Sequence, residues 1–348
     1  MLQRPQASPL AHDEIVFTVS VDVEEGWDWT KALPTSNFNT ANAEHLCGFH
    51  QFLLSLQAAA TYFCTYAMLD DKGSCWHLNQ LAKNDRVEMA AHLHPWCNPP
   101  FNEGGQGTIS DHDSYLFHLP KQVVHAKVKA LKQKFIDCLG AEPKSFRSGR
   151  WGTSREVLAI LAEEDFDVDS SLLAFYATEY FDCGSLPSQP HYADTTQQNG
   201  APNSNLAKNK SLISMPASGG YAGFFSKPSF NKAHARQKRF NHLIGRKIQA
   251  SAIASKLGLQ KQIFLSPELS TLKDMRSLCN RMLAQGDWFF HLSLHSSSLE
   301  PGKNQYVHCE ADKQRLYDRI AGVIEYLRQK RTVRTATLHE ACRYLGDS

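Results

Sequence analysis

Residues 15–25 read Ile-Val-Phe-Thr-Val-Ser-Val-Asp-Val-Glu-Glu, and this stretch decides the fold class. Its β-branched run from Ile15 to Val23 reads as a buried strand. Side chains alternate along a strand, so Asp22 and Glu24 share one face at its carboxyl end. Two acids on one face of an otherwise apolar strand are costly unless something pairs with them. A cation or a proton-transfer role would account for them; so would solvation at a strand end or pairing with arginine.

Strand-like and helix-like runs alternate outward from this segment. Further strands are expected at Ala60–Tyr66, Val87–His94, Ser145–Arg150, Val168–Leu172, Ser211–Pro216, Ile263–Ser266, Trp288–His295 and Val333–Leu338. Helices are expected at Ala43–Gln57, Lys121–Leu139, Ser154–Glu164, Lys232–Leu257, Leu272–Gln285 and Ala311–Lys330. This recurrence predicts an α/β fold with parallel strands and helical crossovers, and the strand number suits a closed or nearly closed barrel. The Ser-, Gln-, Asn- and Pro-rich segment Cys183–Lys210 reads as a polar loop insertion. A second long loop, Asn98–Ser114, follows a pair of histidines and is expected to wall a site.

The chain has 348 residues, 42% of them hydrophobic and 21% charged, enough to bury a sizeable core. Lys+Arg 37 against Asp+Glu 35 leaves a net charge of +2, which lacks the broad positive field of a dedicated nucleic-acid binder. The 9 cysteines form no C-x-x-C pair and are expected to be reduced thiols. The opening MLQRPQASPLAHDE has no apolar core of a secretory signal, so a cytoplasmic location is expected. Phe52–Leu69 carries no formal charge, but Ser55, Gln57, Thr61 and Thr65 make it too polar for a transmembrane span. Nothing in the sequence specifies an oligomeric state.

Three more strand ends carry reactive side chains. Val87–His94 ends in His92-Leu-His94-Pro-Trp96, placing two imidazoles on one face. Carboxylates and neutral imidazoles together form a normal ligand set for zinc and related divalent ions. Ser145–Arg150 supplies Arg147, able to hold a carboxylate such as Asp22 by paired hydrogen bonds, followed by Trp151, able to stack on a sugar face. Asp169 adds an acid at the next strand, and His295 closes Trp288–His295 as a candidate general acid. His291 lies deeper on that strand and is expected in the core or behind the site.

Taken in order, D-x-E at 22–24, H-x-H at 92–94, FR-x-G-R-W at 146–151, D-S-S at 169–171 and L-x-L-H at 292–295 resemble the polysaccharide deacetylase family, carbohydrate esterase family 4. The resemblance spans about Ile15 to Leu345. It implies a distorted (β/α) barrel over residues 15–345 as a single domain, after an N-terminal tail at 1–14. It also implies metal-dependent hydrolysis of the acetamide of an N-acetylated sugar or glycan precursor.

The family's roles map to Asp22 as general base, Glu24, His92 and His94 as ligands of a divalent metal, with zinc the expected ion, and Arg147 as the residue orienting the base. His295 would protonate the leaving amine, with Trp96, Trp151 and Asp169 lining the substrate site. Two features depart from the family pattern. Glu24 stands where the family carries a second Asp, and the two histidines are spaced two apart rather than four. Another C–N amide hydrolase on the same scaffold, or a carbohydrate-binding protein without catalysis, are the competing readings.

Overall fold

A nine-stranded sheet organises the chain. The computed structural model describes residues 10–11, 13–27, 31–34, 36–101, 109–195, 211–223, 229–243 and 260–345. Its strands are β1 (Glu14–Val23), β2 (Ala60–Cys64), β3 (Val87–Leu93), β4 (Ser145–Ser148), β5 (Val168–Asp169), β6 (His191–Tyr192), β7 (Ile213–Ser214), β8 (Gly219–Ala222), β9 (Lys261–Phe264), β10 (Phe289–His295) and β11 (Thr332–Thr335). The sheet order is β10-β1-β2-β3-β4-β5-β7-β6, with β11 also on β1. Every neighbouring pair is parallel except β6–β7.

The helices are α1 (Leu46–Ser55), α2 (Tyr66–Asp70), α3 (Lys72–Leu81), α4 (Lys121–Leu139), α5 (Arg155–Glu163), α6 (Phe230–Leu243), α7 (Leu272–Gln285), α8 (Glu310–Arg328) and α9 (Leu338–Ala341). Local chemistry sets several of their ends. Ser154 and Thr271 accept from backbone N–H groups of the first turns of α5 and α7. Gly140 and Gly286 end α4 and α7 at φ 71° and 84°, where a side chain would be strained. No helix among the described residues is long and apolar enough to cross a membrane.

Strand parity divides the interior in two. Phe17, Val19, Val21 and Val23 point outward and join Phe49, Leu53, Val128, Leu131 and Ile320 in the large core beneath the helices. Val16, Phe63, Ala90, Val168 and Phe289 point inward and pack with Leu338 and Ala341, which plug the amino end of the lumen. The end strands β6 and β10 do not pair with each other. A separate two-stranded antiparallel sheet, β8–β9, stands beside the gap. Ser218 N–H donates to the His291 carbonyl (3.0 Å), Leu265 N–H to Ser218 (2.8 Å) and Ser293 N–H to Leu265 (3.1 Å). The result is a mixed, partly open α/β barrel.

Several expectations need correction. Cys75 and Cys138 are joined by a disulfide between α3 and the end of α4, so the cysteines are not all free thiols. The two helices bring the Cα atoms to 5.9 Å, within bonding reach, although 63 residues separate them in sequence. Residues 66–81, where no helix was expected, form α2 and α3. The strand expected at Val333–Leu338 stops at Thr335, because Thr337 and Glu340 form a reciprocal capping box that starts α9. The strand expected at Ile263–Ser266 is β9 (Lys261–Phe264), which pairs antiparallel with β8 rather than as a parallel strand of the large sheet. Of the polar insertion, Cys183–Ser185 is a short 3-10 turn and His191–Tyr192 is β6, while 196–210 lie outside the described residues. The same holds for 102–108 in the loop 98–114 and for 244–257 of the expected helix at Lys232–Leu257.

Candidate active site

Asp22 and Glu24 leave the carboxyl end of β1 on its inward face. Parallel pairing sets Asp22 beside His295 of β10, and His92 of β3 beside Arg147 of β4. Four distant segments therefore meet at one end of the lumen. Asp22, Glu24, His92, His94 and Arg147 are all buried there, and the His295 side chain is 21% exposed.

Three donors converge tightly. Glu24 Oε2 lies 3.6 Å from His92 Nε2 and 3.3 Å from His94 Nε2, and the two Nε2 atoms are 3.1 Å apart. Zinc bound tetrahedrally by nitrogen and oxygen at about 2.0–2.1 Å would hold its donors about 3.3–3.4 Å apart. The spacing and the chemistry of this set fit a divalent ion. The H-x-H spacing works because His94 lies one residue past β3, where its ring turns back towards His92.

Each ring is fixed from behind. His92 Nδ1–H donates to the Arg147 carbonyl (3.0 Å), and His94 Nδ1–H to Glu25 Oε1 (2.9 Å). Both Nε2 atoms are thereby presented to Glu24. Gly149 makes this packing possible: a Cβ there would lie 2.3 Å from His94 Cδ2 and 2.9 Å from the Leu93 carbonyl. Burial opposes ionisation of Glu24. The His295 charge and hydrogen bonds from His92 and His94 outweigh it and hold the carboxyl well below its ordinary range.

Beside the donors, Arg147 Nη1 donates to Asp22 Oδ1. Its Nη2 reaches the hydroxyls of Ser20 and Ser170, both at 3.0 Å, and the guanidinium sits between the rings of Phe63 (4.1 Å) and Trp151 (4.7 Å). Trp151 and Arg150 occupy left-handed backbone positions at φ 62° and 60° in the turn after β4. His291 is fully buried below Arg147. Burial, reinforced by the guanidinium charge, pushes its pKa well down, so the ring stays neutral. Its Nδ1–H donates to the Pro216 carbonyl (3.2 Å) and its Nε2 accepts from Ser20 (2.8 Å).

His295 has its own carboxylate. His295 Nδ1–H donates to Glu268 Oε2 at 2.8 Å, while the His295 backbone N–H and the Ser298 hydroxyl donate to Glu268 Oε1. Burial lowers the basicity of His295, but Glu268 and then Glu24 outweigh it and push the pKa up to about 10.

Sequence reasoning named Asp22, Glu24, His92, His94, Arg147 and His295, and these six converge. The remaining three candidates sit elsewhere around the cluster. Trp96 is buried behind His94, stacked on its ring at 4.1 Å and donating its indole N–H to Glu25 (2.8 Å). Trp151 covers Arg147. Asp169 accepts from the Ser171 hydroxyl, and burial pushes its carboxyl up to about 6. Glu25 and Glu268 were missed as site residues. Glu25 was visible beside Glu24, but its alternation only marks it as facing away; Glu268 lies in an irregular segment with no sequence signal.

No family model matches the chain, and no curated protein matches it. Solved structures do. A protein assigned as a polysaccharide deacetylase from Mycobacterium smegmatis is 12% identical, aligned over 97% of this chain and 93% of its own, with a TM-score of 0.50. One assigned as a glycoside hydrolase/deacetylase from Parabacteroides distasonis is 13% identical, over 98% of this chain and 72% of its own, with a TM-score of 0.56. The chain has the polysaccharide deacetylase fold. At these identities the likeness is one of architecture, and the chemistry of this deacetylase-fold chain rests on its own side chains.

Proposed function

We propose that the chain is a metal-dependent hydrolase that removes the acetyl group from an N-acetylated sugar or glycan precursor. One observation carries the reading: Glu24, His92 and His94 offer three donors within 3.6 Å of one another, flanked by a buried Asp22–Arg147 pair and the His295–Glu268 pair. Three protein donors is the number found in catalytic zinc sites, which keep one position open.

Glu24, His92 and His94 would hold the ion. When bound, it would supply Lewis acidity that polarises the amide carbonyl and acidifies water. Asp22 takes the proton of the attacking water as the O–C bond forms. Arg147 holds that carboxylate in place. His295, protonated through its pairing with Glu268, delivers a proton to the departing nitrogen as the C–N bond breaks. Acetate and a free amine leave. Trp151 presents its outer face to the sugar, and Trp96 supports His94 rather than touching substrate.

The test pairs metal analysis with acetate release from a panel of N-acetylated sugars. The expected result is one divalent ion per chain, with activity lost on chelation and restored by added zinc. Activity that survives complete metal removal would overturn the reading.

A further inference from the structure

His94 belongs to two donor sets at once. Its Nε2 faces Glu24 and His92, and its Nδ1 faces Glu25 and Cys97, whose donor atoms also lie within 4.8 Å of one another. The two acidic neighbours Glu24 and Glu25 therefore compete for the two sides of one imidazole. The hydrogen bonds decide which side is a ligand.

Glu25 has no exposed surface, and its carboxylate is fully engaged. Oε1 accepts from His94 Nδ1–H (2.9 Å) and from the Trp96 indole N–H (2.8 Å), and Oε2 accepts from the Thr65 hydroxyl (2.9 Å). Indole N–H is a donor only, so Oε1 is held as an acceptor whatever the imidazole does. The Cys97 thiol lies close by, with its Sγ 3.8 Å from the His94 carbonyl oxygen. Nothing comparable saturates Glu24, whose Oε2 meets only the two Nε2 atoms among the contacts described.

We infer that Glu25 is a positioning residue that fixes His94 with its proton on Nδ1, and so selects the Glu24–His92–His94 set over the Glu25–His94–Cys97 set. This inference rests on the metal-site reading above. It also accounts for the short H-x-H spacing: His94 lies beyond the end of β3, so its ring orientation comes from the carboxylate of a neighbouring segment rather than from strand geometry. Carboxylates behind ligand imidazoles typically contribute about 10–100-fold in metal affinity.

The experiment measures zinc affinity by chelator competition for the full-length wild type, Glu25→Ala, Glu25→Gln and Cys97→Ala, with nitrogen NMR of the histidine rings in the zinc-loaded wild type. Glu25→Ala is expected to weaken binding about 10–100-fold. Glu25→Gln keeps an acceptor oxygen and should lose less, and Cys97→Ala should bind as wild type. The ring spectra should report His94 protonated at Nδ1 and ligated through Nε2.

Ligation through Nδ1 overturns the inference whether or not Glu25→Ala folds. So does wild-type affinity in a folded Glu25→Ala, or a loss in Cys97→Ala as large as that in Glu25→Ala. Wild-type affinity in a folded Glu25→Ala would leave the Glu24–His92–His94 set, and with it the proposed function, standing, whereas ligation through Nδ1 or a large loss in Cys97→Ala would move the ion to the second set and away from Asp22 and His295. A wild type that binds no divalent ion would remove both.

Discussion

The inward faces of the same strands build two unlike chambers. At the amino end, Val16, Phe63, Ala90 and Phe289 pack against Leu338 and Ala341, and Glu88 beside them accepts from Thr61, Ser145 and the His339 N–H. At the carboxyl end, Asp22, Glu24, His92, Arg147 and His295 occupy positions set by the same strand alternation. The first chamber stabilises the fold by about 1.5–3 kcal/mol per buried large side chain. The second works against it, because each buried ion costs several kcal/mol before pairing offsets the loss. The amino end thus holds the barrel together, and the carboxyl end uses that stability to keep charges close and dry.

The largest effect expected from this contrast is on chemistry alone. Asp22→Asn should lower acetate release by about 10²–10⁴-fold, the range of a general base. Metal content should stay at the wild-type value, since Glu24, His92 and His94 are untouched. Full activity in this variant would take Asp22 out of the reaction.

Phe289→Ala should do the converse. Emptying a fully buried position at the amino end should cost about 3–5 kcal/mol, read from denaturant unfolding. The folded protein should still bind zinc with unchanged affinity. An affinity loss as large as the stability loss would mean the two chambers are not separable.

Gly149→Ala probes the boundary between turn and ligand. The new Cβ would meet His94 Cδ2 and the Leu93 carbonyl, and the backbone atom cannot yield. Overpacking of this kind costs about 1–3 kcal/mol, and zinc affinity should fall with it. An alanine variant with wild-type affinity would show that the turn adapts without moving the imidazole.

The smallest expected effect is a pH slope. In the metal-free protein His295 titrates at about 10, above the ordinary histidine range. Its stabilising contribution is therefore complete below about 6.5 and is lost as the pH rises through 10. The melting temperature should decline between pH 7 and 10, and Glu268→Gln should flatten that decline. A wild-type profile without the slope would argue that His295 is not held protonated by Glu268.

Legibility in the sequence followed the range of the interactions. Lys121–Leu139 and Leu272–Gln285 match α4 and α7 to the residue, because helical periodicity and a terminal glycine are local signals. The capping box at Thr337–Glu340 was equally local, and the strand reading of Val333–Leu338 overlooked it. The helices at 66–81 were hidden by polar residues facing solvent and by a buried Ala67-Met68-Leu69 run too short to show a period. The Cys75–Cys138 pair left no trace, since its partners come from different helices.

Sequence alone determined that Asp22 and Glu24 share a face, that His92 and Arg147 end buried strands, and that His295 does the same. Those statements need only the two-residue repeat of a strand, which is a property of the backbone. Tertiary structure decided which groups stand behind them: Glu25 behind His94, Glu268 behind His295, and Ser20, Ser170 and His291 around Arg147. These partners lie as far as 271 residues apart, as Ser20 and His291 do. Only the closing of the sheet brings them within hydrogen-bond distance, where burial makes every unpaired charge costly and so fixes the pairs.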